Sequence, residues 1–436
     1  MIIETAIYTL IGLAALLIAR SYWKRSRRLS MESSEKFEKA FSSGLTEPVS
    51  LHPKVDPVRC ICVGACLTAC PEGGILGIVD GHAELVSPTK CIGHGICMQA
   101  CPVDAISLVF GTERRGVDIP NVSETFETNV PGIYIAGELG GMGLIRNAVT
   151  QGREAVEHIA QAREEKPDGV HDLVIVGAGP AGRAATLQAK KSGLDAVTID
   201  QDDLGGAALS YPRQKLVMTQ PMEIPLYGKS KFREISKEEL LELWEKIVKD
   251  TGITVNTHEK VEEVSKKNGH FVVRTSKESY ETKRVLLAIG RRGTPRKLGV
   301  TGENGSSKVA YKLLEPEQYR GKAVLVVGGG NSSAEAALAL CEQEGAHVTS
   351  SIRGEVFAQA NEENREKLRQ AEESGKLTVL CNSNVREIRP ETVVIDCDGE
   401  DTEIPNDYVF VFIGGELPTK FLEKMGIQVE QKFGER

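Results

Sequence analysis

Seven of the ten cysteines lie between Cys60 and Cys101, and this cluster is the part of the sequence whose residue types most clearly indicate chemistry. Thiols at such density either pair as disulfides or bind metal, and metal binding is the expectation for a chain in a reducing compartment. The clustered cysteines are therefore the candidate metal ligands. The remaining three stand singly and are predicted to be ordinary buried residues: Cys341, Cys381 and Cys397.

The clustered cysteines form two related units, each ending in Cys-Pro. The first unit starts at Cys60 and reads C-I-C-V-G-A-C-L-T-A-C-P, and the second starts at Cys91 and reads C-I-G-H-G-I-C-M-Q-A-C-P. This spacing resembles the bacterial two-cluster ferredoxin run, C-x2-C-x2-C-x3-C-P, in which the fourth cysteine of each unit serves the other cluster. The first, third and fourth positions match in both units, whereas Val63 and His94 occupy the second position.

The resemblance to the two-cluster ferredoxin module implies iron–sulfur clusters, of the 4Fe-4S type or, where a fourth ligand is missing, of the 3Fe-4S type. Histidine ligation of cluster iron has precedent and raises the reduction potential. Two alternatives stay open: a ferredoxin-like fold that has lost one or both clusters, and a zinc site, which fits the spacing less well. The implied ligands are Cys60, Cys66, Cys101 and, as the fourth, Cys62 for one cluster, and Cys91, Cys97, Cys70 and, as the fourth, His94 for the other.

A strand that runs into a glycine turn is the second chemical signal. Leu173 to Val176 is an apolar run, and the turn Gly177-Ala-Gly-Pro-Ala-Gly182 follows it and opens a predicted helix. In a G-x-G-x-x-G turn the first glycine permits the tight turn, the second lets the backbone approach a pyrophosphate at the helix N-terminus, and the third allows close packing. The next apolar strand ends at Asp200, about where a carboxylate binds the ribose. The predicted residues of this site are Gly177, Gly179, Pro180, Ala181, Gly182 and Asp200.

A second glycine turn repeats the pattern. The apolar strand from Ala323 to Val327 leads into Gly328-Gly-Gly330-Asn-Ser-Ser333 and a predicted helix. One such turn also occurs in other α/β domains, whereas two in tandem predict one domain for FAD and one for a nicotinamide nucleotide. The following strand ends at Arg353 with no acidic residue, which favours NADPH slightly over NADH unless Arg353 is only a solvated charge. The predicted residues of this site are Gly328, Gly330, Asn331, Ser332, Ser333 and Arg353.

From Val117 onward the sequence resembles thioredoxin reductase and related flavoproteins with two dinucleotide-binding domains. The loop with Gly205 and Gly206 lies where that family wraps the flavin, and Gly290 ends the strand that returns to the FAD. The segment ending in Gly137 and Glu138 resembles the family's last segment, which closes over the FAD, although Glu138 replaces the usual aspartate. Because this segment precedes the first glycine turn here, the resemblance implies a circular permutation. The alternative is that the segment completes the site of a neighbouring subunit.

The C-x-x-C of thioredoxin reductases is absent between the two glycine turns. The chain has no cysteine between Gly302 and Gly328, and Cys341 has no partner at that spacing. Dithiol exchange needs an attacking and a resolving thiol, so disulfide reduction by that route is excluded. The chain thus resembles the cysteine-less branch of the family, which includes thioredoxin-reductase-like ferredoxin–NADP reductases and bacillithiol-disulfide-reductase-like proteins, and this resemblance implies a homodimer.

These resemblances imply an NAD(P)H-dependent flavin oxidoreductase that passes electrons between a nicotinamide nucleotide, FAD and the clusters to an unidentified redox protein or quinone. No side chain is required as acid or base, so no catalytic residue is predicted. One alternative is a redox-sensing or interaction module whose clusters do not turn over, which the replacements at Val63 and His94 motivate. The other is an NAD(P)H-dependent reductase of a small thiol or quinone that lacks working clusters.

The amino terminus differs in character from the rest of the chain. Thr5 to Ala19 is almost entirely apolar, and Arg20, Lys24 and Arg25 follow it. Roughly 18 helical residues rise about 27 Å, enough to span a bilayer, and basic residues after a span lie on the cytoplasmic side. The sequence thus predicts a transmembrane signal-anchor helix over residues 1–23 and a place in the cytoplasmic membrane, with a surface-lying or buried helix as the alternative. The net charge of −8 makes nucleic acid an unexpected partner.

Together these features predict an α/β protein with two Rossmann-like domains, for FAD and NAD(P), a small α+β ferredoxin-like domain and an N-terminal transmembrane helix. The predicted divisions are residues 1–23 (transmembrane helix), 24–56 (polar linker), 57–110 (ferredoxin-like domain), 117–162 (permuted segment of the FAD domain), 170–298 (FAD domain), 299–402 (NAD(P) domain) and 403–436 (return to the FAD domain).

Overall fold

The structure is a computed structural model, and it describes residues 2–42, 48, 51–113, 116–141, 143–210, 216–218, 221–230, 234–291, 294–354, 357, 360–416 and 418–434. The chain forms two compact units. The first comprises residues 1–115 and 433–436, and the second comprises residues 116–432. The first unit therefore contains all seven clustered cysteines, and the second contains both glycine turns.

The first unit begins with one long helix, α1 (Ile2–Ser42), which continues through much of the predicted polar linker. Over the part of the chain that the structure describes, no helix combines the length and the apolar character needed to cross a membrane. The predicted transmembrane helix over residues 1–23 is therefore wrong, as is the location in the cytoplasmic membrane that depended on it. The apolar run is not a helix by itself; it is one part of a helix of 41 residues that also carries many charged side chains.

The remainder of the first unit is a small fold around the cysteines, with a core that includes Cys66, Cys97 and Ile106. Two antiparallel pairs of strands, β1 with β4 and β2 with β3, frame it. Each of its two short helices begins after a glycine and carries the cysteine at the third ligand position of one unit. The elements are β1 (His52–Val55), α2 (Ala65–Ala69), β2 (Leu76–Val79), β3 (His82–Leu85), a 3₁₀ turn (Pro88–Lys90), α3 (Ile96–Gln99) and β4 (Ile106–Val109).

The helix α1 packs on this small fold. A Cβ atom placed on Gly77 of β2 would lie 2.6 Å from the Oγ of Ser33 in α1. Because Gly77 has no side chain, the second half of α1 lies directly against the hairpin. The predicted α+β ferredoxin-like architecture is confirmed, with one additional helix on it.

The second unit contains two dinucleotide-binding folds. In the first, five strands form a sheet in the order β13-β14-β15-β7-β8, and β6 also pairs with β15. Its elements are β5 (Val117–Pro120), β6 (Ile133–Ile135), a 3₁₀ turn (Glu138–Gly140), α4 (Ile145–Gln161), β7 (His171–Val176), α5 (Pro180–Lys191), β8 (Ala196–Ile199), a 3₁₀ turn (Gly206–Ser210), β9 (Leu216–Met218), β10 (Met222–Ile224), β11 (Gly228–Ser230), β12 (Glu234–Ser236), α6 (Lys237–Thr251), β13 (Val261–Lys267), β14 (His270–Thr275) and β15 (Ser279–Leu287).

The segment before the first glycine turn is built into this sheet of the same chain. Strand β6 pairs in parallel with β15, with Ile133 opposite Val285. Helix α4 then packs on α5 so closely that a Cβ atom on Gly152 would lie 2.0 Å from the carbonyl oxygen of Ala181. The N–H of Gly137 donates to Oε1 of Gln151 at 2.8 Å, which holds the end of β6 against α4.

The second fold is a parallel sheet in the order β17-β24-β18-β19-β20, with a three-stranded antiparallel sheet, β21-β22-β23, beside it. Its elements are β16 (Thr294–Pro295), β17 (Val309–Ala310), a 3₁₀ turn (Pro316–Tyr319), β18 (Ala323–Val327), α7 (Asn331–Cys341), β19 (His347–Ser351), α8 (Glu362–Glu373), β20 (Leu377–Leu380), β21 (Ser383–Ile388), β22 (Thr392–Cys397), β23 (Glu400–Pro405) and β24 (Tyr408–Val411). The predicted α/β class with two Rossmann-like domains is confirmed.

The chain returns to the first fold after β24. The elements of the return are β25 (Gly415–Glu416), α9 (Thr419–Lys424) and β26 (Val429–Lys432). Strand β25 pairs with β16, so the chain enters and leaves the second fold side by side. Leu422 and Ile427 join the core of the first sheet, and β26 pairs antiparallel with β5. The strand Tyr408–Val411, predicted as part of the return, is instead an inner strand of the second sheet.

Candidate functional site

The first glycine turn forms an open cradle at the start of α5. A Cβ atom on Gly182 would lie 1.7 Å from the carbonyl oxygen of Gly177, so only glycine allows this contact between helix and strand. Gly177 has a φ of +99°, and its Cβ would lie 2.6 Å from the carbonyl oxygen of Ala288. Around Gly179, by contrast, no atom of the described residues lies within 4 Å of a Cβ position. The space beside Gly179 is therefore open at the N-terminus of a helix, where a phosphate group binds favourably.

Asp200 braces this turn from the end of β8. Its Oδ2 accepts a hydrogen bond from the N–H of Ala178 at 2.5 Å, and its Oδ1 accepts one from the N–H of Asp202 at 2.9 Å. Burial raises the pKa of this carboxyl group, and the two N–H donors oppose that rise. The structure thus places the predicted ribose-binding carboxylate against the glycine turn, where it also fixes the conformation of Ala178.

Arg183 is a residue of this site that the sequence analysis did not identify. Its side chain is 1% exposed, its Nε donates to the carbonyl oxygen of Ala178 at 2.7 Å, and its guanidinium lies over the ring of Trp244 at 4.6 Å. Its Nη2 is buried and has no hydrogen-bond partner among the described residues. Burial lowers the pKa of the guanidinium to about 10, and the charge of Asp200 opposes that fall. Ala178 is thus held on both sides: its carbonyl oxygen accepts a hydrogen bond from Arg183, and its N–H donates one to Asp200.

The signal that could have identified Arg183 is its position. An arginine stands directly after the third glycine, near the start of helix α5. Its neighbours in this helix are small or apolar and buried, so a charged side chain is unexpected there. Trp244 reaches it from α6, whose start is fixed by a capping box between Ser236 and Glu239. That contact joins residues far apart in the sequence, so a reading of local patterns does not reveal it.

The other predicted FAD residues lie near the same turn or at the end of a neighbouring strand. A Cβ atom on Gly206 would be 3.1 Å from the Cα of Gly179, so this loop lies directly over the cradle. A Cβ atom on Gly137 would be 3.0 Å from the Cβ of Ala181, which brings the end of β6 to the same helix turn. Glu138 begins the 3₁₀ turn that follows, and Gly205 and Gly290 have backbone conformations that suit glycine.

The second glycine turn is closed more tightly by its own side chains. Ser333, in the third position, is 1% exposed, and its Oγ donates to the carbonyl oxygen of Gly330 at 2.7 Å. Asn331 faces away from the turn: its Oδ1 accepts from the N–H of Asn361 at 2.8 Å and from Nδ2 of Asn364 at 3.1 Å. Asn331 therefore anchors the start of α8 beside the turn.

The remaining predicted residues of the second site surround that turn. A Cβ atom on Gly328 would lie 2.4 Å from the carbonyl oxygen of Phe412, so this position requires glycine. Gly330 and Ser332 lie at the start of α7, and Arg353 lies exposed just after β19, the strand next to β18. The predicted second-site residues are thus gathered at the carboxyl end of the parallel strands, where α/β folds bind nucleotides.

Four of the clustered cysteines line one cavity of the first unit, and they are those of the first predicted ligand set: Cys60, Cys62, Cys66 and Cys101. Cys66 is buried, and burial raises the pKa of its thiol to about 11. Cys62, one position earlier than the ferredoxin spacing requires, is exposed and reaches the cavity from a left-handed backbone conformation with φ +57°. Two backbone N–H groups donate to the sulfurs of this set: Ala83 to Cys60 at 3.5 Å and Ala105 to Cys101 at 3.3 Å.

The three cysteines of the second predicted ligand set, Cys70, Cys91 and Cys97, are also close enough for their charges to interact. Burial, and to a smaller extent the charges of Cys97, Cys70 and Glu72, raise the pKa of Cys91 to about 11. Among the side chains that the structure describes, no three of the metal-binding types are close enough to hold a single metal ion. A cluster of several irons spreads its ligands over more than one metal atom, and the sulfurs of the first set surround a cavity in this way. The residues therefore fit iron–sulfur clusters.

The three single cysteines contribute nothing to these sites. Cys341, Cys381 and Cys397 are partly buried, and no disulfide joins any of the ten cysteines. Burial raises the pKa of Cys341 to about 11, which leaves its thiol protonated and unreactive at neutral pH.

Two dinucleotide cradles in one unit and a ferredoxin-like fold in the other define a pyridine-nucleotide-dependent flavoprotein with an iron–sulfur module. Residues 174–434 match the family model Pyridine nucleotide-disulphide oxidoreductase, and residues 52–102 match the model 4Fe-4S dicluster domain. The chain belongs to the pyridine nucleotide-disulphide oxidoreductase family. It is an FAD-dependent oxidoreductase that uses NAD(P)H and carries a 4Fe-4S dicluster domain.

Relatives and a solved structure agree with this family. The chain is 30% identical to bacilliredoxin reductase Bdr of Bacillus subtilis over 267 residues, 60% of this chain and 82% of that protein. It is 29% identical to a ferredoxin–NADP reductase of Ignicoccus hospitalis over 274 residues, 60% of this chain and 83% of that protein. The structure of bacillithiol disulfide reductase Bdr from Bacillus cereus matches with a TM-score of 0.55 and 29% identity, over 60% of this chain and 82% of that one.

Proposed function

We propose that the chain transfers electrons between NAD(P)H and its own iron–sulfur clusters through FAD, and between the clusters and a redox partner outside the chain. The observation that carries this proposal is the combination, on one chain, of two dinucleotide cradles and four cysteines around one cavity, with no C-x-x-C between the glycine turns. When bound, FAD supplies the exchange between a hydride and single electrons, and the clusters supply one-electron storage. Electrons could flow in either direction through this arrangement.

The proposed roles of the residues follow from the geometry. Gly179 leaves room for the FAD pyrophosphate, and the N–H groups at the start of α5 face that space. Asp200 is the partner for the ribose, and Gly328 with Gly330 gives the nicotinamide nucleotide the same kind of cradle. Arg353 is the candidate for the 2′-phosphate, so NADPH is the proposed donor.

We infer further that the family's closing segment has been moved from the carboxyl end to residues 117–162. The pairing of β6 with β15 and the contact of Gly152 with Ala181 support closure within the same chain. The family model matches from residue 174, downstream of this segment, which agrees with the inference.

Glu138→Ala tests the moved segment. We expect the variant to bind FAD about tenfold more weakly, because one charge-assisted hydrogen bond to the cofactor would be lost. Equilibrium binding of FAD to the apo-protein measures this loss. Glu157→Ala, which removes a partly exposed carboxylate from the same segment, is the control. Equal affinity of wild type and Glu138→Ala would contradict the role assigned to residues 117–162.

The proposal as a whole is tested by absorbance spectroscopy of anaerobically purified protein, titrated with NADPH or with NADH. We expect flavin bands on a broad iron–sulfur background, with both bleached by substoichiometric nucleotide and faster by NADPH. A flavin that is reduced while the iron–sulfur absorbance persists would overturn electron transfer between the two groups.

A second candidate function is direct reduction of a small disulfide or other small molecule by FAD. The observation that favours it is the similarity to proteins named bacilliredoxin reductase and bacillithiol disulfide reductase. The two functions differ in their need for clusters: variants of the cluster ligands lose the first activity and retain the second.

A further inference from the structure

Glu72 is a partly buried carboxylate beside the second ligand set, and none of the roles above uses it. It follows Cys70-Pro71 in the sequence, and its Oε1 is buried without a hydrogen-bond partner among the described residues. That oxygen lies 3.8 Å from Nε2 of His94, and the two side chains are 23% and 10% exposed. Its charge also raises the pKa of the neighbouring Cys91 thiol. A buried carboxylate oxygen in this position needs a partner, because an unpaired buried charge is destabilising.

His94 stands where the ferredoxin spacing calls for a cysteine, three residues after Cys91 and three before Cys97. An imidazole has two nitrogen atoms, and the one that faces Glu72 is Nε2. In the arrangement proposed below, the other nitrogen, Nδ1, is the one that binds iron. A histidine that binds a metal usually donates its second ring N–H to a carboxylate, which fixes the orientation of the ring and strengthens the ligand.

The first ligand set provides an internal comparison. There the fourth ligand is the thiolate of Cys62, and the residue that follows Cys101-Pro102 is Val103. The position after each Cys-Pro pair therefore differs between the two sets. Beside the set that contains histidine it is the carboxylate Glu72, and beside the set of four cysteines it is the apolar residue Val103. A thiolate ligand has no second N–H to direct, so it gains nothing from such a carboxylate.

We propose that Glu72 is a positioning residue that holds His94 as the fourth ligand of the second cluster. The proposal rests on the proposed function, since it takes the second ligand set to hold a cluster. Glu72 acts through His94: without the carboxylate, the ring rotates away and the iron at that corner becomes labile. The first cluster is independent of Glu72.

The experiment compares anaerobically prepared full-length wild type, Glu72→Ala, His94→Cys and the double variant. Two properties are measured: the nitrogen hyperfine coupling of the reduced clusters by pulsed electron paramagnetic resonance, and the rate at which ferricyanide removes one iron to leave a 3Fe-4S signal. Glu84→Gln is the matched control, because Glu84 accepts a hydrogen bond from His82 at 2.9 Å in the same unit but belongs to neither ligand set.

We expect wild type to show a histidine nitrogen coupling that His94→Cys lacks and that Glu72→Ala weakens or loses. Iron loss from the second cluster should be about tenfold faster in Glu72→Ala than in wild type. In the His94→Cys background, Glu72→Ala should alter the rate of iron loss less than about twofold, because the imidazole through which Glu72 acts is absent. The double-mutant cycle measures this difference between the two backgrounds. Glu84→Gln should behave as wild type.

Three results would overturn the proposal. An equal acceleration of iron loss in both backgrounds would show that Glu72 does not act through His94. Wild-type protein with both clusters but no nitrogen coupling would remove His94 as a ligand and leave the proposed electron transfer intact. Protein that holds no iron after anaerobic reconstitution would instead refute the cluster part of the proposed function itself.

Discussion

Gly179→Ala is expected to weaken FAD binding by about ten- to a hundredfold while leaving the apo-protein folded. Within the described part of the chain no atom lies within 4 Å of the Cβ position of Gly179, so the methyl group meets none of these residues. It does fill the space in which the pyrophosphate approaches the backbone, and the loss of one charge-assisted hydrogen bond corresponds to about 1.5–3 kcal/mol. FAD affinity is measured by fluorescence quenching during reconstitution of the apo-protein, and stability by urea unfolding.

Gly182→Ala is the matched variant, three residues further along the same turn. Its Cβ would lie 1.7 Å from the carbonyl oxygen of Gly177, so α5 has to move away from the strand that precedes it. We expect the apo-protein itself to lose about 1–3 kcal/mol of stability or more, as in other overpacked cores. If Gly179→Ala destabilised the apo-protein as much as Gly182→Ala, the open space beside Gly179 would not be the ligand cradle.

The contrast between these two glycines shows why so much of the fold could be predicted from the sequence. The roles of Gly177, Gly179 and Gly182 depend on contacts within one strand, one turn and one helix, which local sequence determines. The same holds for the cysteine spacing, because three of the four predicted ligands of each cluster lie in one short segment of the chain. The prediction that Gly137 lies near the first glycine turn also depended on a local motif, although the motif stands at an unusual place in the chain.

The features that the sequence did not predict depend on contacts between residues that are far apart in the sequence. The stacking of Arg183 on Trp244 joins α5 to α6, and the approach of Glu72 to His94 joins the two cysteine units. Asn331 stays a predicted nucleotide ligand because of its place in the turn; the additional role of its side chain in anchoring α8 does not follow from that place. The transmembrane prediction was wrong, because no helix of the part of the chain that the structure describes combines the length and the apolar character needed to cross a membrane.

Cys66→Ser is expected to remove the first cluster and, with it, about half of the iron of a chain that carries two equal clusters. The thiol of Cys66 is buried in the cavity that the first ligand set lines, where it is one of the four predicted ligands. Electron transfer to a one-electron acceptor should fall by two orders of magnitude or more, on the order of the loss of a redox centre from a chain. Iron analysis and reduction of a ferredoxin or a viologen dye measure the two effects.

Cys62→Ser separates the fourth ligand from the other three. Because Cys62 is exposed at the mouth of the cavity and reaches it from a left-handed conformation, its loss should open one corner of the cluster and leave the rest bound. We expect a 3Fe-4S signal in the oxidised variant and the loss of a single iron, in place of the whole cluster. Cys341→Ser, outside both ligand sets, should retain the wild-type iron content. An unchanged spectrum in Cys62→Ser would mean that Cys62 is not a ligand. One iron of the first cluster would then have no cysteine ligand and would be open to solvent. The absence of a cysteine at position 63 would mean an open iron site, and not a fourth ligand moved to position 62.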